Sequence, residues 1–132
     1  MKPEDLLFAE THEWAHVCEE NGVKMATVGI SAFAIQQLTD LVYLELPQAG
    51  ATVESGDEIG EVESVKAVSS LFSPVTGTVT AVNTELPNRL ETLGEDPYGD
   101  GWIVKIRLTN DSCLANLLDY DDYQKQCAEE GE

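Results

Sequence analysis

Residues 58–83 read EIGEVESVKAVSSLFSPVTGTVTAVN, and the way this stretch divides decides the fold. The segments EIGEVES, AVSSLF and TVTAVN read as successive short strands, with Ser55-Gly56-Asp57 as a turn before the first. Val62 and Ser64 alternate with Glu61 and Glu63, and apolar alternation resumes after Ala67. Lys66 therefore falls in a tight turn between two strands. It is the one basic residue between Lys24 and Arg89, an interval that holds eight acids. An exposed lysine beside Glu61 and Glu63 contributes only about 0–1 kcal/mol as an ion pair, so stability gives little reason for it.

Working outward, LVYLELP alternates as a strand up to Pro47, and Ser31 is placed to cap a short helix running to Leu38. Further upstream, THEWAHVCEENGVKMATVG contains Asn21-Gly22, a strong hairpin signal, followed by the β-forming run Val23 to Val28. This stretch also spells H-E-x-x-H across His12 to His16. That pattern gathers two imidazoles on one metal only when it lies on a helix. On a strand the two side chains share a face but stand roughly 13 Å apart, too far for zinc–nitrogen bonds of about 2.1 Å. The reading here is a strand with two polar side chains, and no metal site is expected.

Downstream, residues 83–101 look loop-like and WIVKIRL alternates as one more strand. From Ser112 the chain turns helical: Leu114, Leu117 and Leu118 form an apolar stripe, and Asp119 is placed to cap a second short helix that starts with Asp121 and Asp122. Short strands with frequent turns argue for an antiparallel sandwich or barrel carrying terminal helices.

The 132 residues suit a single domain. The three cysteines, Cys18, Cys113 and Cys127, are odd in number and widely spaced, which favours a reducing compartment over a disulfide framework. With no membrane-length apolar run and an acidic start, a cytoplasmic protein is expected. A formal charge of −18, from 25 acidic and 7 basic residues, disfavours nucleic acid and anionic membranes as partners. It suits docking onto basic protein surfaces.

The stretch around Lys66 resembles the lipoyl-lysine segment of the glycine cleavage system H-protein family, and the likeness runs nearly end to end. THEW, VGIS, LVYLELPQAG, EDPYGDGW and the closing leucine-rich region stand where that family has them. The resemblance implies a mainly β lipoyl/biotinyl-like barrel-sandwich hybrid of short antiparallel strands, with a short internal helix and C-terminal helices. The implied domain spans 1–132, with the lysine at the tip of a hairpin in 58–72 and the helical region at 111–129. It also implies lipoic acid in amide linkage on Lys66 and a carrier with no catalytic residue. In this family glycine decarboxylase loads an aminomethyl group onto the arm, aminomethyltransferase passes the one-carbon unit to tetrahydrofolate, and dihydrolipoamide dehydrogenase reoxidises the dithiol. A lipoate-attaching enzyme installs the arm, and a monomer is expected.

Glu13 matches a family acid near the docked arm, and Glu61, Glu63, Ser64, Val65 and Ala67 make up the surround of the lysine. Ser70 stands where the family commonly has Asp or Glu, Phe33 where several members have a cleft-lining His, and Arg89-Leu90 where Asn-Pro is frequent. Two other uses of the same lysine compete. Biotinyl carriers typically flank it with methionines, where this chain has Val65 and Ala67. A lipoyl donor serving lipoate relay would need the same modified lysine.

Overall fold

The computed structural model describes residues 2–38, 40–110 and 112–130, without the side chains of Glu20 and Cys113. The first residue of the expected helical region, Asp111, lies outside the described residues. After a 3₁₀ turn at Pro3–Asp5 come β1 (Leu7–Phe8), β2 (Glu13–Glu20), β3 (Val23–Ile30), α1 (Ala32–Leu38), β4 (Leu41–Glu45), β5 (Thr52–Val53), β6 (Glu58–Ser64), β7 (Val68–Phe72) and β8 (Thr76–Val82). A 3₁₀ turn at Leu86–Asn88, α2 (Glu91–Glu95), β9 (Val104–Asn110), a 3₁₀ segment at Ser112–Asn116 and α3 (Tyr120–Glu130) complete the chain.

Two antiparallel sheets result, one in the order β1-β2-β3-β9-β8-β5 and one in the order β4-β6-β7. This is the expected mainly β hybrid of barrel and sandwich. Ala15, Ala26, Val28, Val79, Val104 and Ile106 from the large sheet meet Leu44, Ile59, Val62 and Leu71 from the small one in a single buried cluster. The alternation read at β6 holds: Val62 and Ser64 are buried while Glu61 and Glu63 are partly exposed. Gly60 is required there, because a Cβ would sit 2.2 Å from the Glu45 carbonyl of the neighbouring strand.

A second cluster of Leu6, Phe8, Trp14 and Tyr123 fastens α3 to the N-terminal strands. Phe8 stacks on Tyr123 with ring centroids 4.3 Å apart, and Phe8 and Leu118 exchange two backbone hydrogen bonds of 2.7 Å that cover the edge of β1. Trp14 lies over Gly29, where any Cβ would strike the indole at 2.6 Å.

Caps and turns follow the sequence. The Ser31 hydroxyl accepts the Ala34 amide at 3.2 Å, and the Asp119 carboxylate accepts the Asp122 amide at 2.8 Å. Asn21 and Gly22 take φ of +52° and +79°, as a two-residue hairpin turn demands. Three expectations need correction. The 83–101 stretch is not simply loop, since Leu86 and Leu93 are buried anchors of the 3₁₀ turn and α2. The regular alternation expected for β4 is broken by a bulge between Leu41 and Tyr43. His12 is not on a strand: it sits one residue before β2 with φ +81° and packs against Tyr123 and Phe33, whereas His16 lies within β2 beside Cys18.

Candidate functional site

The β6–β7 hairpin closes on Val65, Lys66 and Ala67 without a glycine or a positive φ. Ser64 substitutes for turn-forming backbone. Its hydroxyl accepts the amides of Lys66 at 3.3 Å and Ala67 at 3.1 Å and donates to the Ala67 carbonyl at 3.3 Å. The Ser64 amide donates to the same carbonyl at 2.8 Å, and the Val65 amide reaches the Asp40 carbonyl at 3.0 Å. These bonds satisfy the tip's backbone and leave the side chains of Val65, Lys66 and Ala67 exposed. No salt bridge among the described residues involves Lys66. The result is a primary amine on a fixed, protruding turn.

Along the flank of the same hairpin runs a cleft of about 250 Å³, walled by Ser69, Ser70 and Leu71 on one side and Ile30, Phe33 and Leu38 on another. Ser70 lies roughly 13 Å along the strand from Lys66, so an extended substituent on the amine can fold back into the cleft. At its floor Glu13 is only 3% exposed. Thr11 donates its hydroxyl to one Glu13 oxygen and the Phe72 amide donates to the other at 3.3 Å. Burial nevertheless pushes the carboxyl up from 4.5 to about 7, outweighing these bonds. Glu13 is thus a buried carboxyl whose ionised form a cation entering the cleft would favour, as its ion-pair partner.

The rim is built by residues far apart in sequence. His12 Nε2 stands 3.1 Å from Glu130 Oε2, and His12 Nδ1 stands 2.6 Å from the Tyr123 hydroxyl, itself 2.5 Å from the Ser31 hydroxyl. One donor order satisfies the chain: Ala34 N–H to Ser31, Ser31 O–H to Tyr123, Tyr123 O–H to Nδ1, and Nε2–H to the Glu130 carboxylate. Burial raises the Tyr123 phenol, which keeps it a donor. His12, Glu130, Phe33 and Ser70 all line the cleft. The imidazole of His12 lies 5.3 Å from the Phe33 ring, so this cleft has a histidine wall supplied from the turn before β2 rather than from position 33.

Of the expected site residues, Lys66, Ser64, Val65, Ala67, Glu61 and Glu63 share one hairpin, and Glu13 lies at its far end. Glu61 and Glu63 are not among the cleft-lining residues. Sequence reading missed His12, Tyr123 and Glu130, whose meeting only the packing of α3 reveals. His16 faces Cys18, with Sγ 3.4 Å from Nδ1, and among the described residues no three His, Cys, Asp or Glu side chains converge as metal ligands.

A lipoyl group fits these residues: an exposed amine to bear it, a partly apolar cleft beside the amine, and a carboxyl within. Comparison with known proteins agrees. A family model described as "Glycine cleavage H-protein" matches residues 6–130. The chain is 57% identical over 129 residues to the glycine cleavage system H protein of Rhodopirellula baltica, covering 98% of this chain and 97% of that one. It is 47% identical over 128 residues to the H protein of Marinobacter nauticus, covering 97% and 96%. The crystal structure of a glycine cleavage system H protein from Mycobacterium marinum superposes with a TM-score of 0.86 at 35% identity, covering 96% of this chain and 99% of that one. The chain belongs to the glycine cleavage H-protein family, the lipoyl-carrying shuttles of the glycine cleavage system.

Proposed function

We propose that Lys66 is the lysine that bears the lipoyl group and that residues 1–132 act as one non-catalytic carrier domain. The observation that carries the assignment is the Ser64-held tip, which presents the amine on a rigid turn without an ion pair among the described residues. Other lysines are placed differently. Lys105 lies 5.1 Å from the Trp102 ring centre and Lys125 faces Asp122 within α3.

When bound, the lipoyl group supplies a disulfide that accepts two electrons together with the aminomethyl unit. The chain's own residues hold and shield. Lys66 anchors through a neutral amide, while the Ser64 hydroxyl fixes the turn from which the anchor leaves the surface. The cleft excludes water from what folds back along β7. With its pKa raised to about 7, Glu13 is divided between acid and carboxylate near neutral pH, and an ammonium entering the cleft shifts it toward the carboxylate, since a cation beside it lowers its pKa. Glu61 and Glu63 give the hairpin a negative surround for partners with basic rims.

The partners we assign are glycine decarboxylase, aminomethyltransferase, dihydrolipoamide dehydrogenase and a lipoate-attaching enzyme, met by a monomer in the cytoplasm. The exposed free thiol of Cys18 suits a reducing compartment. Among the described residues no helix is long and apolar enough to cross a membrane.

Intact mass after coexpression with a lipoate ligase, in medium containing lipoate, tests the reading. One lipoyl group is expected on the parent and none on Lys66→Arg. Lipoyl mass persisting on the variant overturns the assignment.

A further inference from the structure

The described residues include five large apolar side chains that stand exposed, and four of them gather at one end of the small sheet: Val42 (53%), Tyr43 (48%), Val65 (62%) and Val68 (60%). Val65 and Val68 bracket Lys66. Val42 and Tyr43 reach the same end through the β4 bulge. Leu41 pairs with Ser64 and Tyr43 with Glu63, so Val42 is the extra residue, and two successive side chains are exposed where a regular strand would bury one. Bulges of this kind re-aim side chains beside functional sites.

Register orders the outer face. Tyr43, Glu63 and Val68 form one cross-strand row nearest the tip, and Glu45, Glu61 and Ser70 form the next, roughly 7 Å behind. Asp40 is exposed beside the turn. The surface is therefore an apolar collar around the amine with carboxylates in and behind it. Packing within the chain does not account for exposed Val42 and Tyr43, which leave water only when something covers them.

We propose that this collar is the recognition surface for the enzyme that acylates Lys66, and that it is met by an apolar pocket rimmed with Lys or Arg. This rests on the assignment of Lys66 as the attachment site and names what reads it. In acylation, the unprotonated Lys66 amine attacks the carbonyl of an activated lipoyl group such as the acyl adenylate. The amide C–N bond forms, the acyl–phosphate bond breaks and the adenylate leaves with its electron pair. The proton lost from nitrogen passes to a base. The acylating active site must come within one lysine side chain of the turn, which brings it against Val42, Tyr43, Val65 and Val68. Enzymes that act on the far end of the finished arm can stand off from the collar. Apolar burial supplies the fit, and the carboxylates behind it orient the approach.

The test uses the full unlipoylated chain with a purified lipoate ligase, lipoate and ATP, reading initial rates by intact mass. Val42→Ser with Tyr43→Ser is expected to lower kcat/KM for the carrier about tenfold, mainly through KM, the size of a modest interface hot spot. Tyr43→Phe should retain the parental rate, as should Val23→Ser, the same kind of change at the other exposed valine. If the double variant melts early, Val65→Ser is read instead and the same fall is expected. Parental kinetics in a folded collar variant overturns the proposal. So does a defect confined to the glycine decarboxylase reaction of the lipoylated variant, or a parental dimer that the variant abolishes while lipoylation is unaffected. Lipoyl mass confined to Lys66 alongside parental rates removes the collar alone, whereas lipoyl mass on Lys66→Arg removes the site itself.

Discussion

The chain contains two β-hairpins closed in opposite ways. β2 and β3 join through Asn21-Gly22, whose positive φ angles make the turn from backbone alone. β6 and β7 join without any such residue, and side chains do the fastening: Ser64 at the tip and Glu13, through the Phe72 amide, at the open end. A backbone turn is coded by two residues and needs nothing from the rest of the fold. A side-chain turn is slower to specify, but it frees Val65, Lys66 and Ala67 from conformational duty, so they can be chosen for what they present.

The largest expected effect that sharpens this contrast is at Glu13. Burial raises its pKa from 4.5 to about 7, so the folded protein holds this proton more tightly than the unfolded chain does. Its stabilisation is complete below about pH 4.5 and lost as pH rises through about 7. Against Glu13→Gln, the parent should lose on the order of 3 kcal/mol across that window, the size set by the shift at 1.36 kcal/mol per unit. Urea denaturation at a series of pH values measures it. Parallel pH profiles in the two proteins would place the titration elsewhere.

Ser64→Ala comes next. It leaves the Lys66 and Ala67 amides without their acceptor, at a cost of about 1–3 kcal/mol, and should slow lipoylation as well. Gly22→Ala costs about 1 kcal/mol from its left-handed φ alone, because a Cβ there meets nothing within 4 Å. Lipoylation of that variant should proceed at the parental rate. Equal lipoylation rates in the two variants would erase the distinction between the hairpins.

The smallest effect is electrostatic. With a Debye length of about 10 Å at 0.1 M salt, the Michaelis constant of glycine decarboxylase for the lipoylated chain should rise with ionic strength. Glu61→Gln should blunt that rise more than Glu19→Gln does beside the first hairpin. Equal slopes would assign the acidity to solubility.

The Lys66 hairpin was legible because strand alternation on both sides isolates the turn, and Asn21-Gly22 because few other dipeptides turn so tightly. Val42 was not. LVYLELP alternates well enough, and its bulge arises from how β4 pairs with β6, which no single strand reveals. α2 was hidden by Pro87, Gly94 and Pro97, which read as loop, while Leu86 and Leu93 are held by burial rather than by propensity. Glu13 was visible only through family likeness, and the His12–Tyr123 contact joins residues too distant in sequence for any local pattern to register.

Strand β9 lies between β3 and β8, pairing Val104 with Val28 roughly 75 residues earlier, so the large sheet has a seam that closes late. The small sheet has no such debt to the C-terminus, since all three of its strands fall within residues 41–72. During synthesis its ladder can form while β9 is still inside the ribosome. The cleft must wait longer, because Glu130 at its rim belongs to α3. A nascent chain is thus expected to display the acceptor lysine before it owns the shelter for the cargo, and pulse-labelled ribosome-bound chains stalled before and after β9 would show which of the two the acylating enzyme requires.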